Sequence, residues 1–133
     1  MKRTAIAVVA VYVAVSIYDY VLHGVLLTSL YASSAQLWRP MAEYRMGLGM
    51  IVTLVSAACF VLVYSQFIAG KSLKTALLYG LILGVGQGMS MGYGSYAVMP
   101  IPYMLALAWF LGSIGHNLLA GAVTGWIVQD SQA

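Results

Sequence analysis

Asp19 and His23 stand four residues apart in a stretch that otherwise carries almost only apolar side chains. On a helix that spacing puts both on one face, and at 100° per residue Tyr12 and Ser16 join them within about 60° of arc. A second histidine, His116, follows far along the chain, with Asn117 beside it and Ser113 one turn before. An aspartate beside an imidazole can hold and pass a proton, attract a cation or hydrogen-bond a small polar ligand. The plainer chemistry is mutual satisfaction, with Asp19 paired to His116 or to His23 as a buried hydrogen-bonded pair. Both readings stay open. Gln87, set among glycines, is a further candidate for the same site.

A second cluster, Arg39, Glu43 and Arg45, lies close in sequence. If a helix begins near Pro40, Arg39 and Glu43 are one turn apart and form an interfacial ion pair worth about 0–1 kcal/mol. Alternatively they cap the outer mouth of a cavity floored by His23 and Asp19. Catalytic signatures are missing: there is no HExxH, GxSxG or Walker pattern, so no enzyme is expected. The single cysteine, Cys59, excludes an intramolecular disulfide, a CxxC pair and a c-type haem attachment.

These side chains must be positioned by elements suited to an unusual solvent. Of the 133 residues, 62% are hydrophobic and 7% are charged, too few charges to cover a soluble globule. Six basic residues are also too sparse for a nucleic-acid surface. The gaps between charges mark the spans. Met46 to Gly70 is uncharged and long enough for one crossing of about 20 residues, and Thr75 to Gln129 is long enough for two. The second gap divides at Met99-Pro100-Ile101-Pro102, where proline interrupts a helix. Residues 4–31, interrupted only by Asp19, form a first span. A signal peptide is the competing reading of Lys2, Arg3 and the Ala14-Val15-Ser16 site, but cleavage there strands an apolar remnant too short to cross.

The expectation is an all-α, transmembrane four-helix bundle in a single integral membrane domain, 1–133, with spans at about 4–31, 46–70, 75–99 and 103–128. Lys2, Arg3, Lys71 and Lys74 outweigh Arg39 and Arg45, which favours both termini in the cytoplasm of an inner (plasma) membrane. Helices in lipid pack through small residues. Gly80, Gly84, Gly88 and Gly92 recur every four residues and Gly121 and Gly125 form a GxxxG pair, so these six are read as packing positions. So much glycine could instead let the third span bend or unwind around a site.

Depth along the helices tests the histidines. Counted inward at 1.5 Å per residue, His23 lies about 10 Å down, Asp19 about 16 Å and His116 about 20 Å. Asp19 and His116 are the better match. A bis-histidine haem b needs its axial ligands at similar depth, so it is kept only as the lesser alternative, and no cofactor is expected. Asp19 and His23 offer two metal ligands with only His116 as a third, so no metal centre is expected either.

With Asp19 and His23, Trp38-Arg39-Pro40, the glycine-rich third span and the Met99-Pro100-Ile101-Pro102 turn, the chain resembles uncharacterised small bacterial four-helix integral membrane proteins. The resemblance implies the layout and supplies no substrate or catalytic residue. Two functions follow from the residues. One is a non-enzymatic accessory or packing subunit or standalone bundle, whose partners are the lipid bilayer and either further copies or a larger membrane complex, with no nucleic acid. The other is a small transporter or channel using Asp19, His23, His116, Asn117 and Gln87 for protons or a polar solute.

Overall fold

A long apolar run can be kept from water only if its peptide groups satisfy one another, and a helix does this within a single segment. Helices are what the uncharged stretches form. The computed structural model describes residues 1–130, so the last three residues of the expected 1–133 domain lie outside it. Helix α1 (Lys2–Val21) continues through a π-helical turn, Leu22–Leu26, and a short helix α2 (Thr28–Ala32) follows. Two 3-10 turns, Ala35–Leu37 and Met41–Glu43, lead into α3 (Met46–Phe67). Helix α4 (Leu73–Gly88) runs through a second π turn, Met89–Gly94, into α5 (Ser95–Val98), and α6 (Tyr103–Ile127) closes the chain. No strand occurs among the described residues.

Three helices, Lys2–Leu26, Met46–Phe67 and Tyr103–Ile127, are long and apolar enough to cross a membrane. The rod from Leu73 to Val98 has comparable length, but its glycines with Gln87, Ser90 and Ser95 dilute its hydropathy.

The boundaries differ most from expectation at two places. The first helix stops short of residue 31, because Leu27 leaves helical geometry (φ −97°, ψ 7°) and its N–H reaches back five residues to the Leu22 carbonyl at 2.9 Å. The next long helix ends at Phe67, short of residue 70. Ile68 is extended and Gly70 turns the chain at φ +64°, a conformation that costs a residue without Cβ little. Ser72 then caps α4, its hydroxyl accepting from the Thr75 N–H at 3.1 Å.

Two apolar cores result. Near the chain termini, Ala7, Val11 and Val15 of α1 meet Ala57, Phe60, Val61 and Tyr64 of α3, with Ala76 of α4 and Ala120 of α6. At the other end, which carries the segment 28–45 and the Met99–Pro102 turn, Leu27 packs with Ile101, Leu105, Ala106 and Trp109. Helix α3 has no residue in this distal core. All its buried residues lie in its second half, while Met46 to Ser56 contribute none.

Helix α4 lies on α6 over its whole length, α6 also carries α1, and α3 rests mainly on α1. A Cβ built at Gly84 would come within 2.8 Å of Ile114 Cα, at Gly88 within 2.6 Å of the Phe110 carbonyl oxygen, and at Gly92 within 2.5 Å of the Ala106 carbonyl oxygen. Gly80 faces the Asn117 carbonyl in the same way, while Gly121 and Gly125 face Ala76 from the α6 side. Helices α3 and α4 join only near the termini. There Tyr79 donates to the Phe60 carbonyl at 3.2 Å, and Tyr64 both donates to the Ser72 carbonyl at 2.9 Å and accepts the Ser72 N–H at 3.0 Å. Beside and beyond the Phe60–Tyr79 contact the two helices part, and a groove opens between them with α1 and α6 as its floor.

Candidate functional site

The layer between the two cores is where the polar side chains gather. Close approach of α1 to α6 creates it: a Cβ at Gly112 would lie 2.5 Å from Leu22 Cδ2, and one at Gly115 would collide with the Tyr18 hydroxyl. Tyr18 donates to the Gly112 carbonyl at 3.0 Å and stands edge-on to the His116 ring, with centroids 6.1 Å apart. That approach brings His116 Nδ1 to 2.8 Å from Asp19 Oδ1. The pair is not sealed, since the His116 and Asp19 side chains keep 23% and 34% of their surface exposed. Both face the groove.

The distal part of the groove is a cleft of about 210 Å³. Asp19, His23, Trp109 and His116 form its floor, Thr53 and Ser56 of α3 one wall, and Gln87 and Met91 of α4 the other. The part nearer the termini, about 530 Å³, is mostly apolar and shares Ser56, Gln87 and His116 with the first. The two therefore form one continuous groove. The π turns both reach the distal cleft, the first through Leu22 and His23 and the second through Met91, and such wide turns recur at functional sites.

Of the residues singled out in the sequence, Asp19, His23, His116 and Gln87 line one cleft. Asn117 is buried behind it, donating through Nδ2 to Gln87 Oε1 at 2.8 Å and to the Ser113 carbonyl at 2.9 Å. Asp19 has His116, not His23, as its hydrogen-bond partner. His23 turns instead to Tyr31, whose hydroxyl lies 2.7 Å from Nδ1 and accepts from Trp109 Nε1 at 2.8 Å. Arg39 and Glu43 are exposed and line neither part of the groove. Helix α3 begins at Met46, so these two residues are not one helical turn apart, and no ion pair joins them among the described residues.

The groove does not fit a bis-histidine haem. A macrocycle held between His23 and His116 needs a slot between α1 and α6, where Leu22 already lies against Gly112 and Tyr18 against Gly115. Among the described residues no cluster of three His, Cys, Asp or Glu is placed to hold a metal ion.

Tyr31, Met91, Gly112 and Gly115 complete the site without having been singled out as site residues. Tyr31 was legible only as one tyrosine among ten. Gly112 and Gly115 carry no GxxxG spacing between them, and their signal is only that they bracket the turn before His116.

Chemically, the layer can hold a proton on the Asp19–His116 pair, present acceptors to a polar guest, and exclude bulk water by the apolar cores on either side. Comparisons with protein families, with curated proteins and with solved structures each find no match.

Proposed function

We propose that the protein is a non-enzymatic, multi-pass integral membrane protein that takes up a proton or a small polar solute at the Asp19–His116 pair. In this reading the Leu73–Val98 rod is a fourth span beside the three long apolar helices, and the four make a bundle in the inner (plasma) membrane. Both termini face the cytoplasm, with Lys2, Arg3, Lys71 and Lys74 on that side. The distal cleft then lies in the outward half of the bilayer, and the mostly apolar part of the groove lies toward the cytoplasm. An aspartate near mid-membrane costs about 2.5–3.5 kcal/mol on insertion scales, so it needs either a partner or a task.

One observation carries the choice of a task. The Asp19–His116 pair sits at the floor of an open cleft with His23, Gln87, Thr53 and Ser56 around it, whereas a purely structural pair would be enclosed by packed side chains. The test is flux in proteoliposomes. A pH-sensitive dye inside vesicles should report proton movement with the native chain and little with Asp19→Asn, both variants showing the same helical circular dichroism. Equal flux in the two would sink the reading.

A second reading is that of an accessory or packing subunit. It is favoured by the first half of α3, where Leu48, Ile51 and Val55 are exposed and no residue from Met46 to Ser56 is buried. In that case a stoichiometric partner, or a second copy, co-purifies from the native membrane in mild detergent and Asp19→Asn leaves the assembly intact.

A further inference from the structure

The charge inventory of the distal cleft narrows what it can bind. Asp19 is the only residue lining it that carries a formal charge, and no lysine or arginine lines either part of the groove. Among the described residues its carboxylate has one hydrogen-bond partner, His116 Nδ1 on Oδ1, so Oδ2 has no partner within the chain while Asp19 lines the cleft. The wall opposite adds acceptors. Thr53 spends its hydroxyl proton on the Gly49 carbonyl at 3.1 Å, so its lone pairs remain, and Ser56 lines the same wall. The Trp109 ring and the Met91 thioether supply polarisable surface, which suits a soft cation.

Electroneutrality then restricts the states of the site. With His116 protonated, the Asp19–His116 pair is a neutral ion pair. With His116 neutral, the cleft carries one uncompensated negative charge in a low-dielectric layer, which is strongly disfavoured. A monovalent cation against Oδ2 restores neutrality in the second state. With the other titratable groups around the pair in their uncharged forms, this count holds. Tyr18 and His23 face it from α1, Cys59 of α3 and Tyr79 of α4 line the neighbouring part of the groove, and α6 adds none besides His116. Size favours a small polar group at the pair: the 210 Å³ of the distal cleft is the space of about seven water molecules, and the continuous part beyond it is mostly apolar.

Resting on the reading of the cleft as a solute site, we propose that its ligand is a small monovalent organic cation, a primary or quaternary ammonium. It is bound in exchange for one proton: the ammonium contacts Asp19 Oδ2, and the proton leaves His116 for the solvent, with no change in the net charge of the loaded site.

The test uses the full chain in lipid nanodiscs and three probes of matched size: propylammonium, propan-1-ol and propionate. Calorimetry in two buffers of different ionisation enthalpy measures both affinity and protons released. Propylammonium should bind with release of about one proton, its Kd rising about tenfold for each unit of pH below the range where the pair loses its proton. Propionate should not bind, and Asp19→Asn should weaken propylammonium at least about 100-fold, the scale of losing a desolvated charge partner. His116→Gln leaves the Asp19 carboxyl as the one member of the pair able to carry the exchanged proton, so the pH range over which propylammonium binding releases it should move, and an unchanged pH profile would show that the proton does not leave His116. If propan-1-ol binds as well as propylammonium, the cation assignment fails while the solute site stands. If propylammonium binds without releasing a proton, the exchange fails. If no probe binds to folded protein, both the cation and the solute site fail.

Discussion

Asp19 Oδ1 and His116 Nδ1 lie 2.8 Å apart although 97 residues separate them in the chain. The contact exists because glycines at 112 and 115 let α1 settle onto α6 through Leu22 and Tyr18. It is bounded by an apolar core at each end and by a groove at the side, so one pair of side chains is both a tie between two helices and the floor of a cleft.

Those two roles separate on substitution. Asn at position 19 keeps an acceptor for His116 and removes the charge, so Asp19→Asn should change unfolding stability by less than about 1 kcal/mol. Leu at the same position leaves the imidazole N–H without a partner. Asp19→Leu should therefore cost about 1–3 kcal/mol, toward the low end because both side chains remain partly exposed. Denaturant titration in micelles, followed by circular dichroism, measures both. Equal losses would mean that the charge itself, not the hydrogen bond, holds α1 to α6.

Glycines in α4 should divide sharply by face. Gly84 has the Ile114 Cα and the Ser113 carbonyl at 2.8 and 3.0 Å from an added Cβ, both backbone atoms that cannot step aside without moving α6. Gly84→Ala should cost about 1–3 kcal/mol, as overpacking of a tight contact does. Gly86, one half-turn away, has nothing within 4 Å. Gly86→Ala should be neutral or gain up to about 1 kcal/mol from helix propensity. Thermal melting of the two variants side by side decides it, and a loss at Gly86 comparable to that at Gly84 would contradict the packing described for α4 on α6.

Much of this architecture is readable from residue types, and some is not. The positions of the charges delimit the long helices because a charge inside an apolar helix is costly, and Asp19, His116 and Gln87 are conspicuous for the same reason. The parting of α3 from α4 is hidden, because the small polar face of Gly49, Thr53 and Ser56 in the first half of α3 reads as a place for a helix to dock, whereas Thr53 and Ser56 line a cleft instead. The hydrogen bonding of Tyr31 is hidden for another reason. At 100° per residue it lies about 80° round from His23, and only the wide turn Leu22–Leu26 and the break at Leu27 redirect it toward His23 and Trp109. The roles of Gly112 and Gly115 depend on which helix arrives opposite them, which local spacing does not encode.

Where α3 and α4 do join, Tyr64 is the fastening. It is fully buried and its hydroxyl both donates to and accepts from the backbone of Ser72, the residue that caps α4. Phenylalanine fills the same volume but strands the Ser72 N–H, while the Ser72 carbonyl keeps only the Ala76 N–H at 2.9 Å. Tyr64→Phe should therefore cost about 1–3 kcal/mol and raise the rate of proteolytic cutting in the 68–72 loop. A variant as stable as the native chain, with unchanged cleavage, would show that the apolar packing of Phe60, Tyr64 and Tyr79 suffices.

The distal end should depend on Tyr31 in the same way, with a consequence for the cleft. Its hydroxyl accepts from Trp109 Nε1 and contacts His23 Nδ1, and its ring lies beside Trp38 and Trp109 with centroids at 5.6 and 6.4 Å. If the Trp109 N–H fills one lone pair, the Tyr31 proton is free to reach His23 Nδ1, which fixes the imidazole with its Nε2–H turned away from Tyr31. Tyr31→Phe removes that control while keeping the ring contacts. It should cost about 1–3 kcal/mol, because the Trp109 N–H is left buried without an acceptor. The histidine ring should also lose its fixed tautomer, so that nitrogen-15 spectra of His23 change from one dominant form to a mixture. A single unchanged tautomer in Tyr31→Phe would show that other neighbours orient the ring, and the stability loss would then be assigned to Trp109 alone.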